Sequence, residues 1–523
     1  MSKPFIALEI HDASLWDPAR VLPLERTIKD WGYNALVLHQ NDLLDCCTQL
    51  GLTANYGVAD LRLKKVRNNA AWLDRLTRRL SRIGAELYLE IKEPSFHDYA
   101  VELYPDLLGP DGQTDPRQPV WATFCRAKVA DLLERVPNIG GLIVTLASPE
   151  SRVSLPDFLA DRDEIDTGAW FDRMIAAFHE PLAAAGKTLY IRDFSYTADM
   201  QSDVLTAVAR CKGAVGASVK ITAHDYFPEF PENPAARQVD GPLIFEFEAL
   251  GEHMGWGVIP NCRVAEFRDR MDGYRRYGAN GVLMRTSWEA ITGVNAMDSL
   301  SAVNVYALPK MILRDGDPAE VICGWLDETH GLTGDLAGTV ADLLLRSWHI
   351  PAAAYWNGRV FPRHSCLPST WQEGWLSMET SGMGRRDRDL SIDPEDPSLS
   401  ETARVRLFDE KAAAVALARS LAKDAEGILR QLPEKLATQF AAFSWLPAFA
   451  RQFELATKAT FYAARGHASD LAQLAALRSD LLDLAEHLET KLAAAPDLPH
   501  HHGVLFDPMQ IRRFTASLPG GSA

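Results

Sequence analysis

The sequence is poor in the features that mark secreted, membrane-bound and nucleic-acid-binding proteins. It has 7 cysteines in 523 residues, none spaced as CxxC, which gives no basis for a disulfide framework. No apolar run approaches the roughly 18 residues that span a bilayer, and the opening MSKPFIALEIHDASLWD lacks the pattern of a secretion signal. Lysine and arginine number 54 against 70 aspartates and glutamates, a formal charge of −16, which disfavours nucleic acid or an anionic membrane as partner. We therefore expect a cytoplasmic protein that binds neither.

The sequence does contain a regular alternation of strand-like and helix-like segments. Short apolar runs rich in β-favouring residues alternate with amphipathic stretches between residue 5 and about residue 290. Near-continuous apolar runs are typical of parallel strands covered by helices, and eight such units predict an α/β fold, a (β/α)8 TIM barrel. A doubly wound sheet is the alternative, but no strand is followed by a GxGxxG turn. The predicted strands are 5–10, 34–40, 86–92, 140–147, 187–193, 213–221, 242–249 and 281–287.

Beyond the barrel the pattern becomes helical, which predicts a C-terminal all-helical region. Ala- and Leu-rich segments with helical spacing favour a bundle, and a stretch rich in Gly, Pro and Ser favours a connector before it. Apolar helix faces leave open whether this region packs on the barrel or forms a homodimer. The predicted division is 1–300 barrel, 301–355 helices packing on the barrel, 356–400 loop-rich connector, 401–495 helical bundle and 496–523 solvated tail, with its histidines at 500–502.

The candidate site lies at the carboxyl ends of the strands, where barrels of this kind carry their active sites. Carboxylates from different strands meeting at one mouth suit glycoside hydrolysis, in which one acid gives a proton and another carboxylate activates water or attacks carbon. Taken singly, each could instead serve in a structural ion pair. The candidates are His39, Lys92, Glu150, Arg192, Lys220, Asp225, Glu246, Glu248, Glu252, Arg285 and Trp288.

A family resemblance rests on several motifs in order. GGLIVTLASPES, YIRDFSY, VKITAHDYF and IFEFEALGEHMG resemble the active-site strands of the α-glucuronidases of glycoside hydrolase family 67, and ELYLEIKEPS is similar to that family's third strand. The resemblance covers roughly residues 30–330. It implies an inverting exo-glycosidase that removes α-linked glucuronic acid, or its methyl ether, from xylan-derived oligosaccharides without a metal or organic cofactor.

The resemblance also implies roles for particular residues. The general acid falls on Glu150, and the carboxylates that activate water fall on Asp225 and Glu252. The cations that hold the uronate fall on Arg192 and Lys220. Glu246 is the earlier glutamate of the strand-seven motif, and Glu248 is the reserve candidate.

Two expectations and one departure follow from these roles. Glu150 should stand protonated in a partly apolar pocket, roughly 6.5–9.5 Å from the carboxyl group of Asp225 or Glu252, as inversion requires. Thr145 stands where the family has a lysine aimed at the uronate. A barrel glycosidase for another terminal sugar, a non-catalytic carbohydrate-binding barrel and, with less support, a phosphate-using barrel therefore remain alternatives.

Overall fold

Eight parallel strands close into a barrel in which each strand pairs with its neighbour in sequence and β1 pairs with β8. This computed structural model describes residues 3–49, 57–97, 100–101, 104–109, 112–161, 165–195, 198–222, 226, 232–313, 316–355, 365–379 and 401–520. The predicted (β/α)8 barrel and helical C-terminal region are confirmed. The strands are β1 Phe5–Ile10, β2 Ala35–His39, β3 Glu86–Glu93, β4 Gly141–Leu146, β5 Thr188–Arg192, β6 Gly216–Lys220, β7 Leu243–Glu248 and β8 Gly281–Arg285.

Helices follow the strands and then continue as the C-terminal region. Those among the strands are α1 Pro18–Val21, α2 Leu24–Trp31, α3 Leu43–Cys47, α4 Gly57–Arg82, α5 Val120–Arg135, α6 Leu155–Asp161, α7 Thr167–Ala184, α8 Ala198–Arg210 and α9 Val264–Arg276. Those after the barrel are α10 Ala302–Leu313, α11 Pro318–His330, α12 Gly334–Ser347, α13 His349–Tyr355, α14 Trp371–Glu379, α15 Glu401–Ile428, α16 Glu434–Phe440, α17 Leu446–Arg465, α18 Leu471–Ala493, α19 His500–Leu505 and α20 Pro508–Ser517. In the described part of the chain, none of these helices is long and apolar enough to cross a bilayer.

The barrel interior changes from apolar to polar along its axis. Its floor is a buried cluster of Ala7, Ala35, Val37, Tyr88, Ile143, Tyr190, Ile244 and Leu283. Inward positions recur at every second residue of a strand, so the next inward residue of each strand stands one layer nearer the carboxyl ends. That second layer, which we call the polar layer, is buried and consists of Glu9, His39, Glu90, Thr145, Arg192, Ser218, Glu246 and Arg285.

Glycines make room for the two tyrosines of the floor. A Cβ atom on Gly141 would lie 2.1 Å from the Thr188 carbonyl oxygen and 2.8 Å from the Tyr88 ring. A Cβ atom on Gly216 would lie 2.5 Å from the Tyr190 ring. The strands can therefore carry aromatic rings at the floor because the facing positions have no side chain.

The C-terminal helices share one hydrophobic core with the barrel. The predicted tail differs from the structure, because residues 500–505 and 508–517 are helical. Phe506 is buried and stacks on Trp445 with ring centroids 4.8 Å apart, and Phe514 is also buried. Leu505 and Ile511 are buried as well, whereas Val504 and Met509 are exposed. Burial of the first group outweighs the polarity of the preceding histidines. Helix α14 likewise stands within the predicted connector. The division into domains stays a prediction.

Candidate active site

Arg192 and Glu246 form the central ion pair of the polar layer. Arg192 Nε donates to both oxygens of Glu246, at 2.9 and 3.0 Å, and its Nη2 donates to Oε2 at 2.9 Å. Ser218 Oγ and Tyr226 OH add hydrogen bonds of 2.7 and 2.8 Å to the same carboxylate. Burial alone would raise the pKa of Glu246, but Arg192 and the hydrogen bonds lower it to about 2. Glu246 is therefore ionised at any working pH.

Arg192 Nε and Nη2 are engaged by carboxylates of the protein. Besides Glu246 the guanidinium contacts a second carboxylate, with Nε 3.0 Å from Glu90 Oε1, and the side chain is only 1% exposed. A substrate carboxylate that approached Nε or Nη2 would have to displace one of those partners. In the structure Arg192 thus supports Glu246 and Glu90, and the uronate-binding role expected from the sequence stays a prediction.

A histidine links two further carboxyl groups. His39 Nδ1 lies 2.8 Å from Glu9 Oε1 and 3.1 Å from Glu90 Oε1. Burial, together with the nearby Arg192, lowers the pKa of His39 well below its ordinary value, so the ring is neutral. Burial and the neighbouring Glu9 raise the pKa of Glu90 well above its ordinary value. Burial also raises the pKa of Glu9, against the opposing effect of Arg285. These shifts favour a proton on the Glu9 and Glu90 pair.

His11 stacks on His39, and with Glu9 the two rings form a cluster of metal-ligand type. The ring centroids are 3.5 Å apart with an interplanar angle of 5°, and the ligand atoms of the three residues lie within 4.8 Å of one another. The lone pairs of imidazole nitrogens lie in the ring planes, so two parallel rings do not point at a common ion. Arg285 Nε already stands 3.4 Å from Glu9. We therefore assign no metal to this cluster.

The loop after β7 carries Glu252 next to Glu248. The Glu252 backbone N–H donates to both oxygens of Glu248 at 2.9 Å. Burial and the neighbouring carboxylate of Glu252 raise the pKa of Glu248 to about 7. Glu252 Oε2 lies 3.7 Å from Arg285 Nη1, and its Oε1 lies 3.7 Å from His253 Nε2. Glu252 thus lies beside the Arg285 cation in the loop after β7, and its role as a carboxylate that activates water stays a prediction.

The backbone of this loop is held from the helical region. Ser365 Oγ donates to the Glu252 carbonyl at 2.9 Å and accepts from the Gly255 N–H at 2.7 Å. Trp256 Nε1 donates to the same carbonyl at 2.9 Å, and its ring stacks on Trp288 with centroids 6.1 Å apart. Trp288 is buried. It supports the Glu252 loop, while a contact between its ring and a sugar stays a prediction.

The raised pKa of Glu248 predicts how the stability of the fold depends on pH. A carboxyl group whose pKa is higher in the folded chain binds its proton more tightly there, so it favours folding at low pH and loses this contribution as pH rises from 4.5 to about 7. Glu248→Gln should remove that loss, a change of roughly 2–3 kcal/mol in the free energy of unfolding between about pH 4.5 and about pH 8. Urea midpoints of wild type and variant at the two pH values measure it. Glu486→Gln, at an exposed position of α18, is the control. Equal pH dependence in all three proteins would contradict the assignment.

Glu150 lies across the mouth from Glu252, on the loop after β4, and differs from its predicted setting. Its carboxylate contacts Lys92 Nζ, and its side chain is 36% exposed. An ion pair between a partly exposed glutamate and the buried Lys92 differs from the partly apolar pocket expected from the sequence, and the role of Glu150 as general acid stays a prediction. Asp225 lies outside the described residues.

Three of the predicted cations lie around the ring of Phe194. Lys220 Nζ lies 4.6 Å and Lys92 Nζ 5.0 Å from its centroid, and Arg192 Cζ lies 5.1 Å from it. Lys220 Nζ is also 4.8 Å from the Tyr226 ring. Such distances allow cation–π attraction. The structure brings Lys92, Arg192 and Lys220 together as the sequence predicted, although Arg192 is paired with carboxylates of the protein.

Several buried polar atoms at the mouth have no hydrogen-bond partner among the described residues. Buried polar atoms are nearly always paired in folded proteins. Here the unpaired atoms are concentrated where the strands of the barrel end, and a polar ligand bound there would supply the missing hydrogen bonds. They are Glu9 Oε2, His11 Nδ1, His39 Nε2, Asn41 Oδ1, both carboxyl oxygens of Glu90, Thr145 Oγ1 and Arg285 Nε.

The sequence-based list omitted four residues that the structure places at the mouth: Glu9, His11, Glu90 and Glu289. His11 Nδ1 lies 3.1 Å from Glu289 Oε2. Glu9 is the one charged residue of FIALEI, and Glu90 is a charged residue in the middle of ELYLEIKE. A search for such charges, and not only for charges after strands, would have found both. His11 follows Glu9 by two positions and would have been found next.

Comparison with protein-family models and with curated protein sequences gives no match. Among solved structures, an enzyme described as a GH138 enzyme targeting pectin rhamnogalacturonan II matches 98% of this chain and 83% of its own, at 11% identity and a TM-score of 0.68. Dispersin B covers 60% of this chain at 11% identity, with a TM-score of only 0.34. A β-N-acetylhexosaminidase from Bacteroides fragilis covers 59% at 11% identity and a TM-score of 0.38. Family 67 is not among these matches. The chain thus has the fold of the GH138 enzyme, a (β/α)8 barrel joined to a helical region, over nearly its whole length.

Proposed function

We propose that this protein is a glycoside hydrolase that releases a terminal acidic sugar at the carboxyl end of its barrel. The observation that carries the proposal is the set of unpaired buried polar atoms at the mouth, which hydroxyl groups of a sugar would satisfy. His39 is neutral and its Nε2 is unpaired among the described residues, so it offers a hydrogen bond to a hydroxyl group. Thr145 Oγ1 offers another.

Arg285 is the best placed cation for the carboxylate of such a sugar. Its nearest carboxylate oxygens lie at 3.4 Å in Glu9 and 3.7 Å in Glu252, longer than the roughly 2.7–2.9 Å of a charge-assisted hydrogen bond. Its Nε has no hydrogen-bond partner within the described ranges. Arg192, in contrast, is bidentate on Glu246. A uronate would therefore pair with Arg285 at less cost than with Arg192.

The two carboxylates at the rim support hydrolysis. Glu150 follows β4 and Glu252 follows β7, three strands further round the barrel, so they reach the mouth from different sides. In the proposed reaction Glu150 protonates the leaving oxygen, and Glu252, with Asp225, activates a water molecule on the opposite face of the sugar. This gives inversion at the anomeric carbon. Arg285 Nη1, 3.7 Å from Glu252 Oε2, supplies a positive charge beside this carboxyl group.

The structural neighbour guides the choice of substrates. That enzyme is described as targeting pectin rhamnogalacturonan II, and pectins, like glucuronoxylan fragments, carry uronic acids. The proposed substrate class is an oligosaccharide with an α-linked uronic acid at its non-reducing end. An α-glucuronidase is the form that the sequence resemblance favours.

A proton NMR time course tests the proposal. The purified protein is incubated with α-glucuronosyl xylo-oligosaccharides, pectin-derived oligogalacturonides and neutral α-linked oligosaccharides. We expect release of a uronic acid that appears first as its β-anomer. First appearance of the α-anomer would overturn inversion. Release of a neutral sugar alone would overturn the acidic specificity, and no release from any member would overturn hydrolysis.

A further inference from the structure

A pocket beside Glu150 is distinct from the polar layer. It encloses about 170 Å³ between the loop after β2, the side of α4 and the loops after β3 and β4. Glu150 and Lys92 form its wall on the side of the barrel mouth, so the pocket continues from the proposed point of cleavage. Its lining is Asn41, Asp42, Asp45, Arg62, Lys92, Ser95, Phe96, His97, Glu150 and Arg152.

The carboxylates of the pocket are largely engaged by other groups. Asp45 lies 3.0 Å from the buried ammonium of Lys128 and accepts a 2.5 Å hydrogen bond from Ser95. Asp42 accepts a 2.6 Å hydrogen bond from the amide of Gln40. Glu150 is paired with Lys92. The lining has as many cations as carboxylates, and Asp45 shares the ammonium of Lys128 with the buried Glu93.

Arg62 is the cation of this pocket without a carboxylate. Among the described residues, its guanidinium contacts the His97 ring, with Nη2 2.7 Å from Nε2, and forms no ion pair. It is half-buried on α4, and it faces the same cavity as Lys92 and Arg152. Arg152 itself stacks on Phe96, with Cζ 4.5 Å from the ring, and donates to the Phe96 carbonyl at 2.8 Å. A planar guanidinium that has no anionic partner can bind a carboxylate through two parallel hydrogen bonds.

We infer that this pocket binds the carboxylate of a second acidic sugar, the one on the leaving-group side of the bond that is cleaved. The inference rests on the proposed function, because Glu150 as proton donor must contact the bridging oxygen, and the chain beyond that oxygen then enters the pocket. Arg62 and Lys92 take the carboxylate. Asn41 Oδ1, which is buried and lacks a partner among the described residues, accepts from a hydroxyl group of the same sugar. The substrate is then a uronic acid linked to another acidic sugar.

Equilibrium binding tests this inference without turnover. Digalacturonate and its carboxyl-reduced counterpart serve as probes in isothermal titration calorimetry, with the hydrolysis-impaired variant Glu150→Gln as background if the probe is cleaved. The added variants are Arg62→Gln, the charge-conserving Arg62→Lys, and Arg75→Gln at an exposed position of the same helix. We expect Arg62→Gln to weaken binding of digalacturonate at least about tenfold, Arg62→Lys to recover part of it, and Arg75→Gln to bind as its parent.

The outcomes separate this inference from the proposed function. Equal affinity of Arg62→Gln and its parent, or equal affinity for the acidic and the reduced probe, overturns the inference, and so does an absence of digalacturonate binding. The proposed function fails instead if binding depends on Arg62 but no glycoside is hydrolysed. In an active enzyme, Arg62→Gln should raise KM for a diuronide by a larger factor than KM for a uronide with an uncharged aryl leaving group, and Arg75→Gln should leave both KM values unchanged. An equal rise in both KM values of Arg62→Gln would contradict a pocket confined to the leaving-group side.

Discussion

Glu150→Gln should lower kcat on an oligosaccharide uronide by about 10²–10⁴-fold, the usual contribution of a general acid. The leaving oxygen of a sugar is strongly basic and has to be protonated as the bond breaks. An activated aryl leaving group needs little protonation, so the same variant should keep most of its activity on an aryl uronide. Initial rates on the two substrates measure the difference.

Two further variants make this result specific. Glu252→Gln should lose activity on both substrates, because activation of water does not depend on the leaving group. Glu180→Gln removes a carboxylate on α7 that pairs with Arg126 and whose side chain is 60% exposed, and it should behave as wild type. Equal losses of Glu150→Gln on the two substrates would show that Glu150 does not act as the acid.

Arg192→Met should destabilise the fold by about 3–5 kcal/mol, because it leaves Glu246 buried with its carboxylate uncompensated. The effect should appear as a large fall in the urea midpoint at neutral pH. It should shrink in acid, where Glu246 can be protonated. The pKa of Glu246 in the wild type, about 2, is held there by Arg192 against the effect of burial, so without the arginine the carboxyl group accepts a proton much more readily.

Arg210→Met is the matched control, since Arg210 pairs with Asp172 where both side chains are nearly half exposed. Such a pair is worth at most about 1 kcal/mol. Combining Arg192→Met with Glu246→Gln should restore much of the stability, because both charges are then removed. If Arg192→Met melts like Arg210→Met and only raises KM for uronides, the arginine binds substrate and the role assigned to it in the polar layer is wrong.

The fold was largely predictable because each strand is an apolar run between turn signals. The eight predicted strands match the eight observed strands to within a few residues, and the largest difference is in β6, where residues 213–215 precede the strand. Closure of the barrel followed from counting the units. The two short helices at the C-terminus were missed because histidines and prolines obscure a weak amphipathic pattern.

The site was predictable as a location more than as a set of roles. Lys92 and Glu252 were found because they stand at or beyond the ends of strands β3 and β7. The sequence could not show that Arg192 is occupied by Glu246, since the pairing crosses from β5 to β7 and depends on the closed barrel. It also could not show that Glu150 faces solvent. Both depend on which side chains the barrel brings face to face.

The bond from Ser365 to the Glu252 carbonyl joins positions 113 residues apart in the chain. During synthesis the last barrel strand ends at Arg285, and a ribosome adding about 5–20 residues per second needs roughly 4–16 s more to reach Ser365. For that interval the Glu252 loop lacks its anchor, whatever part of the barrel has already formed. The proposed active site is thus completed only after the last strand has been made, and it depends on translation continuing past the barrel.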